Sequence, residues 1–273
     1  MLKRIHHVAV VVRSADEALR FYRDSLGLAV TDDEVIADQG VRGVLLQAGH
    51  GEIELIEPVR EGTGVARFLE TRGEGLHHIC FETDDVAAEL TAAKARGLSL
   101  IDETPRRGLA GMIGFVHPRS ARGVLVEFAT PPSGAHAAAR GGMALNLDHV
   151  GVAVTDMDAG ITLWRQNFGL EMSRRSDVPV VQSKAVLPIG TAYVELLAPL
   201  GEDGPLQRWL ARRGEGLYMF SLEVADLAAA SAELRRRGLP VSEPLDLGSM
   251  NAAFVHPRDT HGVLIELMQP VAQ

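Results

Sequence analysis

Arg72-Gly73-Glu74-Gly75-Leu76 returns 141 residues later as Arg213-Gly214-Glu215-Gly216-Leu217. Phe115-Val116-His117-Pro118-Arg119 returns as Phe254-Val255-His256-Pro257-Arg258, and Gly123-Val124-Leu125-Val126-Glu127 as Gly262-Val263-Leu264-Ile265-Glu266, both at an offset of 139. Three motifs in one order and at nearly one spacing mark a tandem duplication, so the fold has to accommodate two copies of one plan. Each half carries a further echo. His6-His7-Val8-Ala9-Val10 and His77-His78-Ile79-Cys80-Phe81 lie 71 residues apart, and each precedes a stretch of helical periodicity.

In the first of these units Ser14 or Asp16 can cap a helix whose apolar face is Ala18, Leu19, Phe21, Tyr22 and Leu26, closed by Gly27. In the second, Asp84 or Asp85 caps Val86 to Ala95, and Gly97 ends the helix. Short β-branched segments follow each helix, at Gly43 to Ala48, Ile53 to Ile56, Ile113 to His117 and Val124 to Phe128, divided by Gly, Asp or Pro. Each unit therefore reads β-α-β-β-β. The expected fold class is α+β, with four βαβββ modules in tandem paired into two domains, 1–131 and 146–273. A stretch rich in Pro, Gly and Ala at 132–145, without apolar period, reads as the linker.

A chain of 273 residues that is 46% apolar can bury the cores such a plan requires. The formal net charge of −9 and the absence of a basic run exclude nucleic acid as a partner. No apolar stretch reaches the roughly 18 residues that span a bilayer, so a soluble protein without membrane insertion is expected. MLKRIHHVAVVV, short and without a small-residue cleavage site, reads as a strand and not a signal. Cys80 is the sole cysteine, which rules out an intrachain disulfide and suits a reducing, cytoplasmic setting. Between Ile79 and Phe81 it reads as an inert, buried strand thiol.

Strand alternation sets His7 on the face of Ile5 and Ala9, and places Glu127 within an apolar strand between Val126 and Phe128. An ionised carboxylate there is costly unless something pairs with it, and a metal ion would. His78 is the sister of His7, and Glu54, between Ile53 and Leu55, is the sister of Glu127. If the two units pack about a pseudo-twofold axis, His7, Glu54, His78 and Glu127 converge in a shared cleft. Two imidazoles and one or two carboxylates suit a divalent Co, Mn, Ni, Zn or Fe ion with open positions for substrate oxygens. His6 and His77, on the opposite face, are expected to be structural, and His117 and His256, each before a proline, to stabilise turns. Arg106, Arg107 and Arg119 fit phosphate contacts and solvated loops equally.

With these residues the chain resembles the vicinal-oxygen-chelate (glyoxalase/bleomycin-resistance/dioxygenase) superfamily, and within it the methylmalonyl-CoA epimerases. Gly75-Leu76-His77-His78 and His117-Pro118 with Gly123-Val124-Leu125-Val126-Glu127 carry most of the likeness. Phe21-Tyr22-Arg23, Asp38-Gln39-Gly40-Val41 and Glu54-Leu55-Ile56-Glu57-Pro58 add to it across residues 4–130. The resemblance implies glyoxalase-like domains with His7, His78 and Glu127 on a divalent metal and Glu54 at the place of a further ligand. It also implies a small-molecule substrate, an acyl-CoA being the candidate, chelated by the metal and epimerised through a metal-stabilised enolate. Glu127 is then the catalytic acid/base, and a homodimer the candidate assembly.

Two departures from that family accompany the resemblance. Some of its epimerases carry a basic glutamate where this chain has Gly43, with Arg42 beside it, so Glu127 needs another partner or the reaction differs. Glu34 and Asp38 lie near in sequence and read as surface turn residues. In the second half Tyr218-Met219 replaces the His-His pair while His149, Glu195 and Glu266 remain, so that metal site is expected to be weakened or lost. That half could serve instead as a fused dimer partner. An Fe(II)-dependent extradiol-type dioxygenase is the alternative enzyme, and a non-enzymatic drug-binding protein the alternative outside enzymes. The 5% aromatic content leaves the latter few stacking walls.

Overall fold

The computed structural model describes residues 1–132, 142–178, 182–201 and 203–271. Its first module is β1 (Leu2–Val11), α1 (Ala15–Leu19), β2 (Ala29–Ile36), β3 (Val41–Ala48) and β4 (Gly51–Pro58). A connecting helix, α2 (Gly64–Arg72), leads to the second module, β5 (Gly75–Thr83), α3 (Val86–Ala95), β6 (Arg106–Gly108), β7 (Gly111–Val116) and β8 (Leu125–Thr130). The plan then repeats as β9 (Ala144–Ala153), α4 (Met157–Phe168), β10 (Arg174–Val178), β11 (Gln182–Ile189) and β12 (Ala192–Pro199). After α5 (Pro205–Arg213) come β13 (Gly216–Val224), α6 (Leu227–Arg236), β14 (Leu245–Asp246), β15 (Met250–Val255) and β16 (Leu264–Pro270). The α+β class and the four βαβββ modules are as the sequence led us to expect. Residues 133–141 of the expected linker lie outside the described residues.

The strands form two eight-stranded sheets, ordered β2-β3-β4-β1-β5-β8-β7-β6 and β10-β11-β12-β9-β13-β16-β15-β14. In each module the first strand pairs in parallel with the last, as His7 opposite Glu52 and His78 opposite Leu125, while the last three run antiparallel. A parallel pair needs a crossover, which explains why a helix follows the first strand at once. Ser14 caps α1 by accepting from the Glu17 N–H, and Asp85 caps α3 through Ala88. Beyond α1, Arg20–Ser25 widens into a π-helical turn, for which its sequence offers no physical account.

By packing, the described residues divide into two compact units, one drawn from 1–6, 78–132 and 149–218, the other from 7–77, 142–148 and 219–271. Each gathers modules from both halves of the sequence, and the repeated Arg-Gly-Glu-Gly-Leu motif helps to hold it together. In the second unit Glu74 accepts from the Arg13 backbone N–H at 2.8 Å and lies 3.2 Å from Nδ1 of His261. In the first, Glu215 accepts from the N–H and hydroxyl of Thr155, both at 2.7 Å, and from Arg122 at 3.0 Å. Arg122 and His261 hold φ of 51° and 58°, and the glycines after them, Gly123 and Gly262, hold 80°. A Cβ on Gly123 would stand 2.0 Å from the Glu215 carbonyl oxygen, and one on Gly262 2.1 Å from that of Glu74. Only glycine fits that conformation and that approach together.

The helices α2 and α5, which join the modules within each half, go beyond the expected βαβββ plan. The signal for α2 lay in the Thr63 cap, the Val65, Phe68 and Leu69 spacing and the terminal Gly73, but Gly62 and Gly64 on its flank read as loop. Its Val65, Phe68 and Leu69 pack on Ala9, Val11, Val41 and Ile56 of the sheet. Glu34 also needs correction. It is no turn residue: it sits half-buried in β2, directly opposite Gly43 of β3, because β2 continues four residues beyond its irregularity at Val30 and Asp32. Asp38 does lie in the exposed turn after β2.

Candidate metal centre

The first pair of expected ligands belongs to the first module. His7 on β1 and Glu54 on β4 are 1% and 8% exposed, with His7 Nε2 3.3 Å from Glu54 Oε2. Parallel register sets Glu54 beside Ala9, on the face that carries His7, and antiparallel register adds Gly43, Leu45 and Gln47 to that face. The same logic extends to Glu34, which pairs with Gly43.

The second pair belongs to the second module. His78 on β5 and Glu127 on β8 are 2% and 3% exposed, with Nε2 2.7 Å from Oε2, a charge-assisted hydrogen-bond distance. The ring of Phe115 meets that of His78 edge-on at 5.1 Å, and the Arg106 guanidinium lies 5.3 Å from the Phe115 centroid. Arg106 Nε stands 3.3 Å from each oxygen of Asp102, and its Nη1, although buried, makes no hydrogen bond among the described residues. Of the three arginines singled out by sequence, Arg106 is therefore pinned on a strand, while Arg107 and Arg119 are exposed.

The donor atoms of His7, Glu54, His78 and Glu127 all lie within 4.8 Å of one another. Two nearly water-free carboxylates this close repel each other unless a cation intervenes, and two nitrogen with two oxygen donors match the preference of a first-row divalent ion. The residues fit such a metal. A second trio, His6, His7 and Cys80, meets the same spacing, and Cys80 is the buried strand thiol expected.

His77, His117 and His256 have the surroundings expected of structural and turn residues. His77 packs edge-on against Phe68 of α2 at 5.0 Å. His117 and His256 begin one-turn helices, each accepting through Nδ1 from the backbone N–H two residues on, at 3.2 Å.

Models of glyoxalase/bleomycin resistance protein/dioxygenase superfamily domains match residues 6–116 and again 146–267. The chain belongs to that superfamily. An uncharacterised protein of Bacillus subtilis, YqjC, is 39% identical over 136 residues, half of this chain and 97% of the relative. An ethylmalonyl-CoA/methylmalonyl-CoA epimerase of Cereibacter sphaeroides is 35% identical over 46% of this chain and 97% of its own length. A mutant 4-hydroxymandelate synthase from Streptomyces coelicolor shares the fold at a TM-score of 0.79 and 19% identity, across 99% of this chain and 93% of that one. Relatives in this superfamily thus include named enzymes, each half of the chain is a glyoxalase-type repeat, and no helix among the described residues is long and apolar enough to cross a membrane.

The second glyoxalase-type repeat keeps the scaffold of the first, with His149, Glu195 and Glu266 at three of the four donor positions and Met219 at the fourth. By register Met219 stands where His78 does, and Glu266 where Glu127 does. Leu245 takes the place of Arg106, and Tyr193 that of Glu52. The ring of Tyr193 stacks on His149 at 4.6 Å and 16°.

Proposed function

We propose that the chain is a metal-dependent epimerase of a small acyl-CoA, similar in activity to methylmalonyl-CoA epimerase. The observation that carries this reading is the buried His7, Glu54, His78 and Glu127 set with donor atoms within 4.8 Å. The 35% identity to an epimerase over nearly that relative's full length points the same way. In this proposal residues 1–131 form the working domain, 132–145 the linker and 146–273 a degraded domain. A reducing compartment such as the cytoplasm suits a chain whose single cysteine is a buried thiol.

His7, Glu54, His78 and Glu127 would hold the divalent ion, which when bound supplies Lewis-acid stabilisation of charge developing on a substrate carbonyl oxygen. Inverting a carbon centre requires that a proton leave one face and another arrive on the opposite face, so two groups share the work. Glu127 is one. Gly43 cannot be the other, and we assign that role to Glu34, which pairs with Gly43 across β2 and β3 and so shares the face of Glu54. Arg106, held by Asp102 and Phe115 with Nη1–H to spare, would receive an anionic group of the substrate.

The same donors suit Fe(II), which keeps an extradiol-type dioxygenase as the second reading. The two separate on one experiment: protein purified without chelator is assayed for metal, for solvent deuterium exchange into methylmalonyl-CoA and for oxygen uptake with a catechol. The epimerase reading expects about one divalent ion per chain, deuterium at the α-carbon and no oxygen uptake. It also expects loss of both metal and exchange in His78→Ala with an unchanged circular dichroism spectrum. Metal-loaded protein that consumes oxygen and exchanges no deuterium would favour the dioxygenase.

A further inference from the structure

The second half holds a lysine where the first half holds none. Lys184 of β11 pairs with Leu197 as Gly43 of β3 pairs with Ile56, and Glu195 and Glu54 each stand two residues before those partners. Lys184 therefore occupies the register position of Gly43. It is 8% exposed, an unusual burial for lysine unless an anion compensates it, and its Nζ lies 3.3 Å from Glu195 Oε1. The other carboxylate oxygen, Oε2, lies 3.5 Å from His149 Nε2, much as Glu54 meets His7 at 3.3 Å. His149 is itself fully buried beneath the Tyr193 ring.

We propose that the Lys184 ammonium is a covalently attached replacement for the metal ion in the second half. It neutralises Glu195 as a divalent ion would, it repels any cation approaching the same carboxylate, and it leaves that half metal-free by construction. Gly43 is the complement of this: the first half carries no side chain, and so no ammonium, at the register position from which Lys184 meets its glutamate. Met219 in the place of His78 then follows as a change without cost, since no metal remains for a second imidazole to bind.

The inference stands apart from the metal reading of the first half, so its test uses chains in which His78→Ala has disabled that site. Metal content by mass spectrometry after equilibration with Co(II) or Zn(II) and desalting is expected to be near zero in this background. It should stay near zero when Met219→His alone is added, and rise to about one ion per chain when Met219→His is combined with Lys184→Gly. Bound metal in the chain that retains Lys184, or none in the chain that lacks it and carries Met219→His, overturns the proposal. A second measurement needs no metal. Lys184→Met should lower the thermal midpoint, and Glu195→Gln on top of it should recover part of the loss, whereas strictly additive losses would mean that Lys184 does not serve as the counter-ion of Glu195. Failure of the first-half reading shows separately, as absent metal in the unmodified protein.

Discussion

At the scale of single residues, the first half turns on what stands around Gly43. A glycine in a sheet interior weakens the strand and usually marks a place where something else approaches closely. In β3 it stands opposite Glu34, on the face shared by Glu54 and Leu45, so the neighbouring strand brings a glutamate to a register position where β3 itself offers no side chain. If Glu34 carries one of the two proton transfers, Glu34→Gln should lower the rate of α-proton exchange about 10²–10⁴-fold, the usual worth of a positioned acid or base. Metal content should be unchanged, because Glu34 is not among the four grouped donors. A Gln variant that exchanges at the normal rate would remove Glu34 from the mechanism.

At the scale of elements, the Gly-Glu-Gly-Leu turn and the turn after each His-Pro-Arg run act as a matched pair of latches. Burial works against ionisation of Glu215, but the Thr155 hydroxyl and N–H and the Arg122 guanidinium outweigh it and hold the carboxyl below its ordinary 4.5. The sign follows from linkage: a carboxyl whose folded value is depressed adds stability above about pH 4.5, and that stability is lost as pH falls through the lower folded value. Glu215→Gln should therefore cost about 1.5–3 kcal/mol of unfolding free energy near neutral pH, the range for hydrogen bonds to a charged group. In denaturant titrations at successive pH values the gap should narrow progressively as pH falls below about 4.5. A gap that acid does not narrow at all would show that Glu215 acts through packing and not through charge.

At the scale of the whole molecule, duplication gives the chain two sheets of the same order but only one full set of grouped ligands among the described residues. Metal bound to the native state alone stabilises by mass action, about 2.7 kcal/mol when free metal is a hundredfold above Kd. For a chain of this size each kcal/mol moves the thermal midpoint by roughly 2–4 °C, so chelation should lower it by roughly 5–10 °C and metal should restore it. His78→Ala should melt at one temperature with or without chelator. A native protein whose midpoint ignores both chelator and added metal would leave His7, Glu54, His78 and Glu127 as a structural cluster and nothing more.

The repeat offsets, the caps at Ser14 and Asp85 and the alternation around His7 and Glu127 are local features of the sequence, and they were enough to set out four βαβββ modules and to single out His7, Glu54, His78 and Glu127. Their convergence within 4.8 Å belongs to the tertiary structure, as do the facing of Glu34 and Gly43, the Lys184–Glu195 pair and the holds of Arg122 on Glu215 and His261 on Glu74. Periodicity reports which side of its own strand a residue takes, but a partner on another strand is fixed by register. A shift of one residue in that register would turn every one of these side chains to the opposite face.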